Sequence, residues 1–279
     1  MKQYRVSRYT ININKPINKK GTIRVAFLSD LHNADWGKNN RLLLSMIDEE
    51  NPDIVLCGGD MLVAYPGEDV VKAAIFMNEL ADRYPTYYGY GNHEYRLKIY
   101  PETYGDMYRH YKKLLNEDKV HILDNDKIEI FVNGIELCIY GLTIKRKYYQ
   151  RFKRIPMPVS EIREALGSPN KNMITILLAH TPKYMKSYFK WGADLTLSGH
   201  YHGGFMQLSK NRGLLSPDPE LIVHNAHGLI TEKNRNMIVS AGLGEHTVPV
   251  RVNNPRELVV ADIKLNGVTD GFSGKDYCI

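Results

Sequence analysis

Cysteine is scarce: the 279 residues hold three, Cys57, Cys138 and Cys278. Thiols so few and scattered support neither a disulfide framework nor a cysteine-rich zinc site, which fits a reducing compartment and makes the cytoplasm the expected location. Long apolar runs are missing too. None approaches the ~20 residues of a membrane-crossing helix, and Met1 to Ile11 alternates polar and apolar residues without the basic-then-apolar order of an export signal. Secretion and membrane spanning are therefore disfavoured. No repeat and no Ser- or Pro-rich linker interrupts the chain, so one domain over residues 1–279 is expected. Nor is the charge one-sided. Lys and Arg number 37 against 31 Asp and Glu, and a net charge of +6 is common in proteins that bind no nucleic acid. What is present, 43% apolar and 24% charged residues, is the composition of a packed globular protein.

The pattern begins with strands over Tyr4 to Asn14 and Thr22 to Ser29, the second nearly continuous in apolar residues, as in a strand buried on both faces. Helices over Asn40 to Glu50 and Asp69 to Tyr84 stop at Pro52 and Pro85, and short strands follow at Ile54 to Cys57 and Thr86 to Tyr90. This alternation implies parallel crossovers. A Tyr-rich helical segment covers Tyr104 to Leu115. Beyond it Asn133-Gly134 joins Ile128 to Val132 with Ile135 to Tyr140 as a two-residue hairpin, because both turn positions take positive φ. Further strands are read at Ile174 to Ala179, Asp194 to Ser198, Phe205 to Leu208, Met237 to Ala241 and Leu258 to Leu265, with one clear helix among them at Pro182 to Phe189. The fold class is α/β: two packed mixed β-sheets flanked by α-helices.

The early strands end in Ser29-Asp30-Leu31-His32, Gly58-Gly59-Asp60 and Gly91-Asn92-His93-Glu94, and later ones in Ala179-His180 and Gly199-His200-Tyr201-His202. Loops beyond the carboxyl ends of parallel strands converge on one crevice, so these clusters are expected to meet in space. Two Asp, one Asn and five His form a mixed nitrogen and oxygen donor set for divalent ions such as Mn, Fe, Zn or Ni. Six or seven donors are too many for one tetrahedral ion, so two ions are implied. Two ions about 3.5–4 Å apart activate a water between them and clamp the oxygens of a phosphoester.

In these motifs the chain resembles the calcineurin-like metallophosphoesterases, whose series runs Asp-x-His, Gly-Asp, Gly-Asn-His-Asp/Glu, a lone His and Gly-His-x-His. The match spans about Thr22 to Gln207. The resemblance implies that Asp30, His32 and His202 hold one ion, that Asn92, His180 and His200 hold the second, and that Asp60 bridges them. It implies that His93 faces the scissile phosphate and either protonates the leaving oxygen or stabilises charge there. The implied activity is phosphoester hydrolysis, phosphodiesters favoured, by a hydroxide bridging two divalent ions. A small-molecule or lipid-headgroup phosphoester is the implied substrate; a nuclease and a metal-bound scaffold without turnover are the alternatives. Gly242-Leu243-Gly244, Pro249-Val250-Arg251 and Pro255-Arg256-Glu257-Leu258 are similar to a bacterial branch whose members often carry export signals or membrane anchors, and neither is seen in this sequence. Two departures stand out: Phe205 where relatives carry Gln, and Cys57 before Gly58 where Thr or Ser is frequent. Cys57 is read as a buried strand-end residue rather than a ligand.

Lys145 to Arg154 carries six basic residues in ten with Tyr148, Tyr149 and Phe152 between them. Such a strip suits a polyanion, although a solvated basic face is the plainer reading. It lies in a connection of over thirty residues, from Tyr140 to Ile174, and connections of that length are usually lids or disordered. The nine tyrosines from Tyr84 to Tyr111 are read mainly as packing residues, with an aromatic wall beside the site as the alternative.

Overall fold

A computed structural model of the chain describes residues 4–15, 19–150, 155–204, 206–209, 211–214, 222–245 and 251–266. Cys278, Phe205, Pro249, Val250 and the Arg151, Phe152, Lys153 and Arg154 end of the basic strip lie outside the described residues.

In chain order the first half runs β1 (Tyr4–Ile13), β2 (Gly21–Leu28), α1 (Arg41–Glu50), β3 (Ile54–Cys57), α2 (Val71–Ala81), β4 (Thr86–Gly89), α3 (Asn92–Ile99), α4 (Pro101–Tyr104), α5 (Met107–Leu114) and β5 (Val120–Leu123). The second runs β6 (Asp126–Val132), β7 (Ile135–Leu142), α6 (Val159–Leu166), β8 (Ile174–Ala179), α7 (Met185–Trp191), β9 (Leu195–Ser198), β10 (Met206–Ser209), β11 (Arg212–Leu214), β12 (Ile222–His224), β13 (Gly228–Glu232), β14 (Arg235–Val239) and β15 (Arg256–Leu265). One six-stranded sheet has the order β1-β15-β2-β3-β4-β5 and the other β13-β14-β9-β8-β7-β6, with β10, β11 and β12 forming a small third sheet. Strands β2 to β5 are mutually parallel, as are β7, β8, β9 and β14.

The apolar run of β2 packs two ways at once, as its period of two requires. Val25 and Phe27 turn inward to meet Leu56, Ile139, Leu178 and Leu197 between the sheets. Ala26 and Leu28 turn outward into the cluster containing Leu43, Ile47, Phe76 and Met77 of α1 and α2. Across the second sheet, Ile162 of α6 and Tyr188 and Trp191 of α7 cover Cys138, Tyr140 and Leu177. The layers are helix, sheet, sheet, helix. Cys57 is fully buried in the outer layer of the first sheet, and burial pushes its thiol well up, as suits a packing residue. No helix of the described residues is long and apolar enough to cross a membrane.

The hairpin at Asn133-Gly134 has φ of 49° and 81°, the signs its turn type demands. Several elements depart from the sequence reading. The described residues of the long connection after β7 hold a 3-10 turn at Arg146–Tyr149 and helix α6. Helix α6 carries one fully buried residue, Ile162, so its periodic signal is weak. Among the described residues the strands from β8 to β15 enclose the one α-helix expected there, α7, and α6 is an additional helix before them. Strands β5, β11, β12 and β13 also went unread, because three to five residues give alternation too little length to register.

Candidate metal centre

Every chemistry-bearing cluster lies just beyond the carboxyl end of a parallel strand: Asp30 and His32 after β2, Asp60 after β3, Asn92 and His93 after β4, His180 after β8, and His200 and His202 after β9. Backbone hydrogen bonds join these loops to one another. Asp30 N donates to Gly59 O (3.0 Å) and His32 N to Asp60 O (3.0 Å), while Leu243 N beyond β14 donates to Ser29 O (3.0 Å).

The loops reach this arrangement through an unusual backbone. Fifteen described non-glycine residues have positive φ, and nine of them are Asn, which tolerates that region. Of the other six, five are Asp30, His32, Asp60, His200 and His202, and the sixth is Lys233. A left-handed residue costs about 1–2 kcal/mol, and such strain persists where the surrounding structure over-determines it. Close approach adds a demand for glycine. A Cβ on Gly59, whose φ is 94°, would collide with the Gly91 backbone, and one on Gly91 would collide with the Asp60 carboxylate.

Donor atoms of Asp30, His32 and His202 lie within 4.8 Å of one another, as do those of Asp60, His180 and His200, and those of His32, Asp60 and His93. Asp60 Oδ2 is 3.0 Å from His180 Nε2, 3.8 Å from His32 Nε2 and 3.9 Å from His93 Nε2. Asp30 Oδ1 is 3.4 Å from His202 Nε2. Asn92 joins them through its place between Gly91 and His93, and its Oδ1 is buried without a hydrogen-bond partner among the described residues.

Both carboxylates are buried and anchored. Asp60 Oδ1 accepts from His93 N (2.8 Å), and Asp30 accepts from Ser29 Oγ (2.6 Å) and from His200 N (3.0 Å). Burial, with Asp60 nearby, pushes the Asp30 carboxyl up to about 6 against the pull of His180. For Asp60, burial is outweighed by His180, His93 and His32, which hold it well below the usual carboxylate range. His180 is correspondingly raised to about 10: burial disfavours its charge, but Asp60 and Asp30 prevail. These carboxylates attract positive charge into the cleft, and divalent ions meet that demand while displacing the imidazole proton. The donor set, the unpartnered Asn92 oxygen and this charge balance all fit a bound metal.

The second nitrogen of each ring sorts the histidines. His180 Nδ1 lies 2.8 Å from Gly58 O, a partner that can only accept, so the ring's donor is on Nδ1 and Nε2 is available for coordination. His93 is the reverse. Its Nδ1 accepts from Ala64 N (2.7 Å), which puts the ring proton on Nε2 and makes that atom a donor toward the cleft. His202 has Arg251 Nη2 3.3 Å from Nδ1, so in the metal-free arrangement its Nε2–H points toward Asp30. Coordination would move that proton to Nδ1 and leave the Arg251 N–H groups to the Gly242 and Gly244 carbonyls, which they already reach.

Sequence reasoning gave Glu94 no role, although it completes a motif. Fully buried, it accepts from Asp60 N (2.8 Å), Met61 N (2.9 Å), Gly91 N (2.9 Å) and Tyr88 Oη (2.7 Å). One carboxylate thus ties the β3 loop to the β4 loop and sets the Asp60 backbone. Glu257 does similar work behind β14, accepting from Ala241 N (2.7 Å), Arg5 Nη2 (2.8 Å) and Ser7 Oγ (2.5 Å). Its burial was not legible, but its place in the quoted Pro-Arg-Glu-Leu run was. A cavity of about 570 Å³ adjoins Asn92 between α3, α4 and the Arg146–Tyr149 turn.

Residues 23–204 match the family described as calcineurin-like phosphoesterase. An uncharacterized metallophosphoesterase of Helicobacter pylori (strain ATCC 700392 / 26695) is 30% identical over 245 residues, covering 85% of this chain and 58% of its own length. The chain thus spans little more than half of that relative. An uncharacterized metallophosphoesterase of Aquifex aeolicus is 26% identical over 269 residues, covering 94% of this chain and 93% of its own. Among solved structures, the calcineurin-like phosphoesterase YfkN from Bacillus subtilis aligns with 91% of this chain and 87% of its own at 14% identity and a TM-score of 0.46.

Proposed function

Because the chain belongs to the calcineurin-like phosphoesterase family, we propose that it is a metal-dependent phosphohydrolase with two divalent ions in its cleft and a preference for phosphodiesters. The observation that carries this reading is the strained convergence of donors: five of the seven candidate ligands occupy left-handed backbone, and their atoms fall in overlapping groups. Asp30, His32 and His202 would hold one ion, Asn92, His180 and His200 the other, and Asp60, which belongs to two of the groups, would be shared. When bound, such ions supply an activated water for attack at phosphorus and neutralise the phosphoryl oxygens.

The protein's own residues do the rest. His93 N donates to one oxygen of Asp60 and His200 N to both oxygens of Asp30, so the carboxylates cannot rotate away from the cleft. His93 presents Nε2–H, which suits hydrogen bonding to a phosphoryl or leaving oxygen as negative charge grows there. With its only lone pair engaged by Ala64 N–H, His93 is a better charge stabiliser than ligand. The diester preference draws support from the cavity beside Asn92, since a diester carries a second substituent that needs room. A nuclease draws less, because Lys145 and Lys147 of the basic strip are already paired with Glu161.

The test is elemental analysis of the purified protein joined to a panel of phosphomonoesters and phosphodiesters with added Mn, Fe, Zn or Ni. Two ions per chain and faster diester turnover are expected. A protein that binds no divalent ion, or binds two and hydrolyses no ester, would overturn the reading.

A further inference from the structure

The cavity beside Asn92, so far only room for a second substituent, shares Asn92 with the candidate metal centre. At about 570 Å³ it is the size of a ligand pocket. Asn92 forms part of its wall, and the ring of Tyr149, another wall residue, lies 5.8 Å from that of His200. Its composition is selective. Among the described residues, Tyr95, Tyr100, Tyr104 and Tyr149 supply aromatic surface, Arg96 and Arg146 supply two positive charges against the single carboxylate of Glu102, and Ile99 is the sole aliphatic side chain.

That lining suits neither an acyl chain, which needs aliphatic contact, nor a bare phosphate, which needs no aromatic wall. It suits a planar base on a charged backbone, because rings and guanidinium planes stack on any base while the cations meet phosphate. Two details sharpen this. The Arg146 guanidinium stacks on the Tyr100 ring at 4.9 Å, and among the described residues no carboxylate pairs with it, although its neighbours Lys145 and Lys147 are both held by Glu161. Tyr100 Oη is buried without a hydrogen-bond partner among the described residues, a polar atom left for something that enters.

We propose that this cavity binds the part of the substrate beyond the scissile phosphate, and that this part is a nucleotide: a base stacked in the Tyr100–Arg146 region with its negative charge met by Arg96 and Arg146. The proposal rests on the phosphoesterase reading for what happens next door, but the binding itself does not. Calorimetric titration with adenosine 5′-monophosphate, ribose 5-phosphate and inorganic phosphate isolates the base. The nucleotide should bind about ten-fold tighter than ribose 5-phosphate. Arg146→Gln, at an exposed position, and Tyr100→Leu should each weaken nucleotide binding about ten-fold, and inorganic phosphate binding far less. A nucleotide that binds no tighter than ribose 5-phosphate overturns the proposal, as does wild-type nucleotide affinity in Arg146→Gln. The two readings fail separately: chromogenic diester turnover without a nucleotide preference removes only the pocket, and nucleotide preference without any turnover removes only the reaction.

Discussion

The two large sheets face the cleft with the same strand ends but with different chemistry. Loops of the first sheet carry both carboxylates, the Asn amide, His32 and His93, whereas loops of the second carry only the imidazoles His180, His200 and His202. Each wall also steadies the other. His200 N of the second sheet holds Asp30 of the first, and Gly58 O of the first holds the His180 ring of the second. The negative charge that would attract metal therefore sits on one wall, and the other would complete the coordination. Neither wall is a site by itself, so packing of the sheets and assembly of the centre are one event.

The largest expected effect comes from removing charge from the first wall. Asp60→Asn should lower turnover by more than about 10³-fold and cost both ions, because the shared carboxylate is lost. His200→Ala on the second wall should leave the Asp30, His32 and His202 group intact and so leave one ion per chain by elemental analysis. Equal stoichiometry in the two variants would break the asymmetry between the walls.

Next comes His93, which lies on the first wall but presents a donor. His93→Ala should retain both ions and lower kcat by about 10²–10⁴-fold, with little dependence on the leaving group. A defect far larger for poor leaving groups would make His93 a proton donor, and loss of metal would make it a ligand.

Glu94→Gln probes what holds the first wall together. A Gln amide replaces one acceptor oxygen with an NH2 that faces backbone donors, at a cost of about 2–3 kcal/mol. Calorimetric melting should show Tm lowered by several degrees, and metal affinity should fall with it. An unchanged melt would leave Glu94 no role in positioning Asp60.

The smallest effect lies outside the cleft, over the second sheet. Lys147 and Lys145 lower the Glu161 carboxyl from 4.5 to about 2. Its folded pKa is depressed, so the stability it adds is present above pH 4.5 and is lost as pH falls toward 2. The group is solvent-screened, so Glu161→Gln should cost only about 0.2–1 kcal/mol, and less at high salt. A larger loss at neutral pH, read by denaturant titration, would mean that this pairing orders the whole Arg146–Tyr149 turn.

Much of the fold was legible because local patterns report local structure. Proline stops, the continuous apolar run of β2 and the Asn-Gly turn are each settled by neighbours in sequence. Helix α6 and the strands β5, β11, β12 and β13 were not, since the helix is short with a single fully buried residue and the strands are three to five residues long. The basic strip shows the same limit. Its ten residues read alike, yet Lys145 and Lys147 turn to Glu161 while Arg146 turns to Tyr100, a choice made by α6 and the α3–α4 junction rather than by the strip.

The sequence by itself determined which side chains stand at the strand ends, because a strand that stops at a Gly-rich turn places the next polar residues in the crevice whatever its partners are. Only the tertiary structure decided what each does. His93 and His180 are the same residue in similar settings, and they differ because Ala64 N–H meets one ring and Gly58 O, 122 residues from its histidine, meets the other. A hydrogen-bond partner that distant is chosen by how two sheets pack. The proton's place on each ring, and with it the division between ligand and donor, becomes fixed only when the chain has folded.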